Sequence, residues 1–207
     1  NGRWAVVGVV NPTLAELSQK LTETETTARG PTVRTYEPVN THRFGTLATV
    51  TGLNTIGGPA PPSAEGNPTW NRLRRRMFSA GSEYYVRGHL INGTFGGPGN
   101  DWRNLTPLTQ TANNRSIASM LRTFEDPVRR EVNAGGVATI RVEAVYRPLG
   151  RGALASDLRS GRATVPNRNA QQAAEIADIV DAEESLPSDV VATGSIQRNG
   201  ATQPLTP

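Results

Sequence analysis

The chain has 207 residues, a net charge of +4 and an apolar fraction of 36%, which fits one domain of ordinary size with loop-rich or disordered flanks. Because it contains no cysteine, disulfide bridges and zinc sites built from thiolates are excluded. No stretch approaches the ~20 consecutive apolar residues that a membrane span needs, so a soluble protein is expected.

The N-terminal region is predicted to contain a strand and a helix. Residues 4–10 are β-branched and short, as is typical of a strand. Asn11 is predicted to cap the helix, with Pro12 at its first position. The apolar face of this helix is predicted to consist of Leu14, Leu17 and Leu21. The Thr/Glu-rich sequence that follows is interpreted as a solvated end or linker, which makes residues 1–31 an extension without chemistry.

Two strand-like segments come next, TVRTYEPV from Thr32 and FGTLATVTGL from Phe44. His42 lies in the turn between them and is interpreted as a surface or packing residue. A Pro/Gly-rich loop is predicted from Gly57 to Pro68.

Residues 69–80, TWNRLRRRMFSA, place Trp70, Leu73 and Met77 at helical spacing and concentrate arginines in the same two turns. Of the 22 basic residues in the chain only Lys20 is a lysine, and guanidinium groups suit bidentate contacts to phosphate. A GC-rich genome would produce the same bias. The cluster is either a solvated face or a patch that holds a nucleic-acid backbone. The second interpretation assigns nucleic-acid contacts to Arg72, Arg74, Arg75, Arg76 and also Arg115.

The segment from Tyr84 to Asn113 is too polar and too rich in Gly and Pro to be core, which indicates a functional role. Residues 84–90 are predicted to form a strand that ends near His89, and residues 104–106 a short returning strand. A helix is predicted from Ala112, so that its first turn carries Asn113.

His89, Asn113 and Arg87 together offer the chemistry of phosphodiester cleavage. A neutral imidazole can take a proton from water, since its unperturbed pKa is about 6.5. An amide oxygen is a hard ligand that suits Mg²⁺, a cation that keeps most of its waters. A guanidinium can hold the phosphate while the cation neutralises developing charge. The sequence therefore predicts a metal-dependent nuclease site.

Arg87-Gly88-His89, followed by Asn104-Leu-Thr-Pro107 and then Asn113, resembles the DNA/RNA non-specific endonuclease family of the ββα-metal superfamily. The pattern of that family is Asp-Arg-Gly-His, then Asn-x-x-Pro, then an Asn nine residues after the first. The resemblance implies an α+β fold in which a ββα-metal nuclease core lies on a small antiparallel sheet, with helical and loop-rich flanking extensions. It implies that His89 is the general base, Arg87 a phosphate-binding or orienting residue, Asn113 the direct ligand of Mg²⁺ or another divalent cation such as Mn²⁺, and Asn104 a support.

Three features depart from the family pattern. Val86 stands where the family has Asp, and the interval from His89 to Asn113 is 24 residues, shorter than the usual thirty or so. Leu121 stands where the family has a Glu that holds metal-bound waters. Glu125 lies four residues further on, about one helical turn, and is predicted to replace that Glu, with Glu131 as the second candidate.

Pro127 is predicted to interrupt the helix that carries Glu125. A residue before proline is disfavoured in helical geometry, so the helix is expected to break at Asp126. Asp126 would then cap a second short helix, PVRREVNAG.

The C-terminal part is predicted to contain one more strand and one more helix. Residues 136–146 alternate between two faces, which places Arg141 and Glu143 together on the solvent side. A helix is predicted from Asn169 to Glu184. Its apolar stripe is predicted to consist of Ala173, Ile176, Ala177 and Val180. The stretch from Ser185 to Pro207 is interpreted as a linker.

The sequence thus predicts an N-terminal extension (1–31), a nuclease domain (32–150) with its ββα-metal core at about 84–134, and a C-terminal helix with a tail (151–207). The predicted function is metal-dependent cleavage of DNA, or of both DNA and RNA, with little sequence preference. Two alternatives remain: a catalytically silent nucleic-acid-binding or delivery-scaffold module with the nuclease fold, and a protein-binding module. The start without Met and a further resemblance to toxin domains predict an effector domain of a larger bacterial secreted protein, with a cognate inhibitor or a delivery apparatus as possible partners.

Overall fold

The computed structural model describes residues 12–57, 64–78, 82–147, 163–164 and 172–205. The helices are α1 (Leu14–Leu17), α2 (Pro68–Leu73), α3 (Asp126–Asn133) and α4 (Gln172–Glu183). The strands are β1 (Leu21–Thr27), β2 (Gly30–Tyr36), β3 (Leu47–Leu53), β4 (Met77–Phe78), β5 (Tyr85–His89), β6 (Leu105–Thr109), β7 (Val137–Val145), β8 (Ala163–Thr164), β9 (Asp189–Arg198) and β10 (Ala201–Leu205). Two single helical turns precede α3, and we name them the Asn113 turn (Thr111–Arg115) and the Glu125 turn (Leu121–Glu125).

The main sheet has six strands in the order β1-β2-β3-β7-β9-β10, and each neighbouring pair is antiparallel. Side chains in a strand point alternately to the two faces, and β7 shows this clearly, with its even-numbered residues from Ala138 to Ala144 buried. Those residues pack in one core with α3 and with the loop after β5. The predicted α+β class is confirmed.

A second antiparallel pair, β5 and β6, is followed directly by the Asn113 turn, the Glu125 turn and α3. This strand, strand, helix order is the ββα unit that the sequence predicts. A second apolar core lies where the pair meets α2 and α4. Its members include Phe44, Trp70, Leu73, Tyr85, Trp102, Leu105 and Ala182.

The linker interpretation of the Thr/Glu-rich segment is wrong, because this segment forms the edge strand β1. Its glutamates alternate with exposed threonines, and Glu25 pairs with the buried Arg34 at 2.8 Å. Because charged side chains lie on the inner face of this strand, the sequence lacks the apolar alternation by which strands are predicted. The helix before it is also shorter than predicted, since it begins after the Thr13 cap and ends at Leu17. Residues 4–10 and Asn11 lie outside the described residues.

The linker interpretation of the C-terminal stretch is wrong as well, since it forms the hairpin β9–β10. Strand β9 pairs with β7 on one side and β10 on the other, so it is an inner strand of the sheet. The hairpin turns at Asn199 and Gly200, which have φ of 51° and 80°. Asn-Gly is the preferred sequence for such a turn, and this signal was in the sequence.

Two helix predictions are corrected in detail. The predicted helix over 69–80 ends at Leu73, and Met77 belongs to β4. The buried residues of α4 are Ile179 and Ala182 rather than the predicted stripe, of which Ala173 lies outside the described side chains.

The predicted helix break at Asp126 is also wrong. Asp126 has helical geometry, with φ of −64° and ψ of −42°, and its N–H donates to the carbonyl of Leu121 five residues earlier. Pro127 has no N–H to donate, and this one wide turn adjusts the helix around it.

Arg141 and Glu143 form the predicted exposed ion pair at 2.7 Å. Among the described residues, no helix is long and apolar enough to cross a membrane.

Candidate active site on the strand pair

Arg87 and His89 lie on one face of β5, since residues two apart in a strand share a face. In the antiparallel register His89 faces Leu105 and Arg87 faces Pro107. Gly88 points to the other face, where a Cβ would lie 2.4 Å from the Leu108 side chain. The packing of Leu108 therefore explains why a glycine separates the two functional residues.

The imidazole of His89 is mostly buried, and its Nε2 has no hydrogen-bond partner among the described residues. Burial lowers the pKa of His89 below its ordinary value of 6.5, and the neighbouring Arg87 guanidinium lowers that pKa further. The ring is therefore neutral at pH 7. A neutral ring with an unpartnered nitrogen is the state that a general base requires.

A cavity of about 220 Å³ adjoins these two residues. Its other walls are Trp70, Glu83, Val86, Gly99 and Leu105. One wall thus carries a guanidinium and an imidazole, the two groups that phosphodiester cleavage asks of the protein.

The Arg87 guanidinium is held by the loop before α2. Its Nη1 donates to the carbonyl of Ala64 at 2.6 Å and lies 3.4 Å from a Glu65 carboxylate oxygen, while its carbon sits 5.7 Å from the Trp70 ring centroid. Glu65 is 58% exposed, so this ion pair is weak and open to exchange with a phosphate. No pattern in the sequence indicates this loop contact.

Asn104 closes the base of the loop between β5 and β6. Its Oδ1 accepts from the N–H of Ile91 at 2.8 Å, and its Nδ2 donates to the carbonyls of Ile91 at 3.0 Å and Pro98 at 2.9 Å. Asn104 is fully buried. Its side chain therefore holds Ile91, two residues after His89, against the loop.

Asn113 and Glu125 both follow the strand pair, in the two helical turns that precede α3. The N–H of Gln110 donates to Tyr84 just before the Asn113 turn, so that turn begins beside the start of β5. Glu125 accepts a hydrogen bond at 2.7 Å from Nδ2 of Asn92, and Asn92 lies three residues after His89 in the chain. The hydrogen bond to Asn92 therefore holds Glu125 beside the loop that follows His89.

Glu125 is only 6% exposed, whereas the second candidate, Glu131, is half-exposed and pairs with Arg198. Burial raises the pKa of the Glu125 carboxyl to about 7, although the Asn92 hydrogen bond and the Arg129 charge lower that pKa. Asn92 is a site residue that the sequence did not reveal. Its own Oδ1 accepts from the N–H of Thr94, and only the turn-forming Asn-Gly dipeptide marks it.

The donor chemistry here fits a hydrated Mg²⁺ ion rather than a closed cage. No group of three His, Asp or Glu in the described ranges could enclose a cation. Mg²⁺ needs few protein ligands because it keeps several waters. Asn113 offers an amide oxygen, and its side chain makes no hydrogen bond to any other described residue. Glu125 is a carboxylate whose pKa is raised by burial, and a cation beside it would favour its charged form.

The arginines predicted to contact nucleic acid are mostly engaged elsewhere. Across the interface between α2 and α4, arginines of residues 72–76 meet a row of carboxylates. The ion pairs are Arg72 with Asp178 and Asp181, Arg75 with Glu175 and Asp178, and Arg76 with Glu183. Arg74 and Arg115 are exposed. The carboxylates at three-residue spacing in α4 were the signal in the sequence for this pairing.

Replacement of Glu125 by Gln tests its burial. The folded-state pKa is raised, so the protonated form stabilises the fold, and this stabilisation is lost as the pH rises from 4.5 through about 7. Gln still accepts from Asn92 but cannot ionise. The free energy of unfolding of Glu125→Gln should therefore equal that of the wild type at pH 4.5 and be higher by about 2 kcal/mol at pH 8. Urea unfolding in EDTA at both pH values measures this. The exposed Glu131→Gln is the control, and an equal difference at the two pH values would contradict the prediction.

Comparison with known proteins places this site within a family. The model of the family described as DNA/RNA non-specific endonuclease matches residues 46–157, more than half of the chain, including the strand pair and both helical turns. No curated protein matches the chain.

Among solved structures, the chain is similar to crystal structures of NucA from Streptococcus agalactiae. The form with no metal bound is 12% identical, with a TM-score of 0.48, over 94% of this chain and 73% of that one. The form with a magnesium ion bound is 13% identical, with the same TM-score, over 89% and 68%.

Proposed function

Because the chain belongs to the DNA/RNA non-specific endonuclease family, we propose that it hydrolyses phosphodiester bonds of DNA and RNA in a metal-dependent reaction with little sequence preference. The observation that carries this proposal is His89, a neutral imidazole beside Arg87 whose buried Nε2 has no hydrogen-bond partner among the described residues. The family match supports the reaction class, and the strand pair supports the assignment of roles.

In the proposed reaction, His89 takes a proton from the attacking water at Nε2. The lowered pKa keeps this nitrogen free of a proton at neutral pH. Arg87 binds the phosphate after exchanging its weak contact with Glu65, and the Trp70 ring beneath keeps the guanidinium in place. Asn104 holds the loop after His89 and so fixes the position of the base.

Asn113 is the proposed ligand of Mg²⁺ or Mn²⁺, and Glu125 is proposed to hold waters of the ion. When bound, the cation would neutralise negative charge that develops on the phosphate. Arg74 and Arg115, the two exposed arginines of the predicted set, are the proposed contacts to the nucleic-acid backbone.

Metal dependence is tested by incubating supercoiled plasmid and a folded RNA with the wild-type protein. We expect cleavage of both with Mg²⁺ or Mn²⁺, no cleavage in EDTA, and recovery when Mg²⁺ is added in excess. Random fragment ends would show little sequence preference. Cleavage that continues undiminished in EDTA after removal of bound metal would contradict the metal dependence.

The second candidate is a catalytically silent module that binds nucleic acid. It is favoured by one observation, that Val86 stands where the family pattern has Asp. It predicts retention of plasmid in a gel-shift assay without cleavage under any metal condition. Delivery as a toxin domain from a larger secreted protein, with a cognate inhibitor, remains a prediction from the sequence resemblance.

A further inference from the structure

A row of aromatic rings and guanidinium groups lies beside the start of β5. The rings of Phe78 and Tyr84 are 4.8 Å apart, and those of Tyr84 and Tyr85 are 4.9 Å apart with their edges facing. The Arg76 guanidinium covers the Tyr84 ring at 3.6 Å. Tyr85 is buried and donates to Glu183, whereas Phe78 and Tyr84 are both partly exposed.

The row continues into the Asn113 turn through Arg115. This guanidinium lies 5.7 Å from the Phe78 ring centroid. Arg115 is exposed, and within the described part of the chain it has no carboxylate partner, unlike Arg72, Arg75 and Arg76. A cation without a counter-ion beside partly exposed rings distinguishes this cluster from the neutralised interface between α2 and α4.

We propose that Phe78, Tyr84 and Arg115 form a subsite for an unpaired nucleotide, with the base against the rings and its phosphate on Arg115. This inference rests on the proposed nuclease function and adds a preference for single-stranded or locally unpaired nucleic acid. Every base offers a flat face to an aromatic ring, so the contact is independent of sequence, as a non-specific enzyme requires. A paired base in a duplex cannot make this contact with an aromatic ring unless it leaves the base stack.

The position of the cluster suits a strand that passes the catalytic residues. Tyr84 immediately precedes β5, so it lies about 10 Å along the strand from Arg87 and about 17 Å from His89. Stacked nucleotides rise 3.4 Å each, so these distances correspond to roughly three to five nucleotides from the phosphate that is cut. The Asn113 turn supplies Arg115, so one element carries both the proposed metal ligand and the phosphate contact of the subsite.

Binding is measured in the His89→Ala background, so that the probe is not cleaved. Three fluorescent probes of twelve nucleotides are used: a mixed-sequence single strand, its duplex, and a strand of the same charge with abasic positions. Phe78→Ala should weaken binding of the intact single strand about 10-fold and change binding of the duplex and the abasic strand less than 2-fold. Arg115→Ala should weaken all three probes and reduce the slope of log affinity against log salt by about one.

Two further variants keep the test independent of folding. Phe78→Tyr keeps a ring and should retain affinity, whereas Phe78→Leu keeps an apolar side chain and should show the same loss as Phe78→Ala. Arg122→Ala, an exposed arginine paired with Asp126, is the matched control for charge. Unchanged single-strand binding in Phe78→Leu, or equal losses on intact and abasic strands, would overturn the subsite.

Failure of the subsite and failure of the proposed function give different results. If the wild type cleaves plasmid with Mg²⁺ while Phe78→Leu binds all probes normally, the nuclease function stands and the subsite is wrong. If the wild type cleaves nothing while Phe78→Leu loses affinity only for the intact single strand, the subsite is correct and belongs to a module that binds nucleic acid without cutting it.

Discussion

Replacement of His89 by alanine is expected to reduce plasmid cleavage about 1000-fold while leaving the fold intact. The imidazole is the neutral group whose Nε2 has no partner among the described residues, and loss of a general base typically costs 10²- to 10⁴-fold in rate, on the order of the effect expected here. No stabilising hydrogen bond to Nε2 is lost in the variant. Initial rates on supercoiled plasmid with saturating Mg²⁺, compared with a thermal unfolding curve, measure both effects.

His42 provides the matched control, since it is the other histidine and lies exposed in a turn away from β5. His42→Ala should cleave at the wild-type rate. The pH profile adds a second check. Because burial and Arg87 lower the pKa of His89, the midpoint of the acid limb of the kcat/KM profile should lie below the ordinary value of 6.5. Full activity in His89→Ala would exclude His89 as the base.

Replacement of Glu183 by alanine is expected to destabilise the fold by about 3–5 kcal/mol. Arg76 is 1% exposed and donates to Glu183 at 2.5 Å, and Tyr85 donates to the same carboxylate oxygen at 2.7 Å. Without that carboxylate a buried guanidinium loses the counter-charge that Glu183 supplies. The midpoint of thermal unfolding should fall by roughly 10 °C.

The control for this variant is the exposed pair of Arg122 and Asp126, with side chains 62% and 29% exposed. Arg122→Ala should change the free energy of unfolding by less than about 1 kcal/mol. Glu183→Gln, which keeps an acceptor but not the charge, should fall between Glu183→Ala and the wild type. A loss below about 1 kcal/mol in Glu183→Ala would show that the buried pair does not stabilise the fold.

Short-range patterns predicted the strand pair of the candidate site well. Residues 84–90 and the return near Asn104 were predicted as strands, and β5 and β6 occupy these positions. The strands β7 and β2, the latter predicted from Thr32 rather than from Gly30, were also recognised, because period-two burial is a property of neighbouring residues. These elements carry apolar residues on their inner face, which is the signal that sequence patterns detect.

Charged and polar strands escaped this approach. Strand β1 has Glu23 and Glu25 on its inner side, where Arg34 compensates the charge of Glu25. Strands β9 and β10 are mostly exposed, so the composition suggested a linker although the Asn-Gly turn was present. The pairing partner of β9 is β7, more than forty residues away, and no local pattern identifies it.

By itself, the sequence determined the α+β class, the strand that presents Arg87 and His89, and the family to which they belong, because motif spacing and alternation are local. Only the tertiary structure decided which charges meet. It joined the arginines of residues 72–76 to α4, about a hundred residues further along the chain, and Glu125 to Asn92. The electrostatic state of a guanidinium or carboxylate depends on its neighbours in space and on burial, and folding brings those neighbours from distant segments.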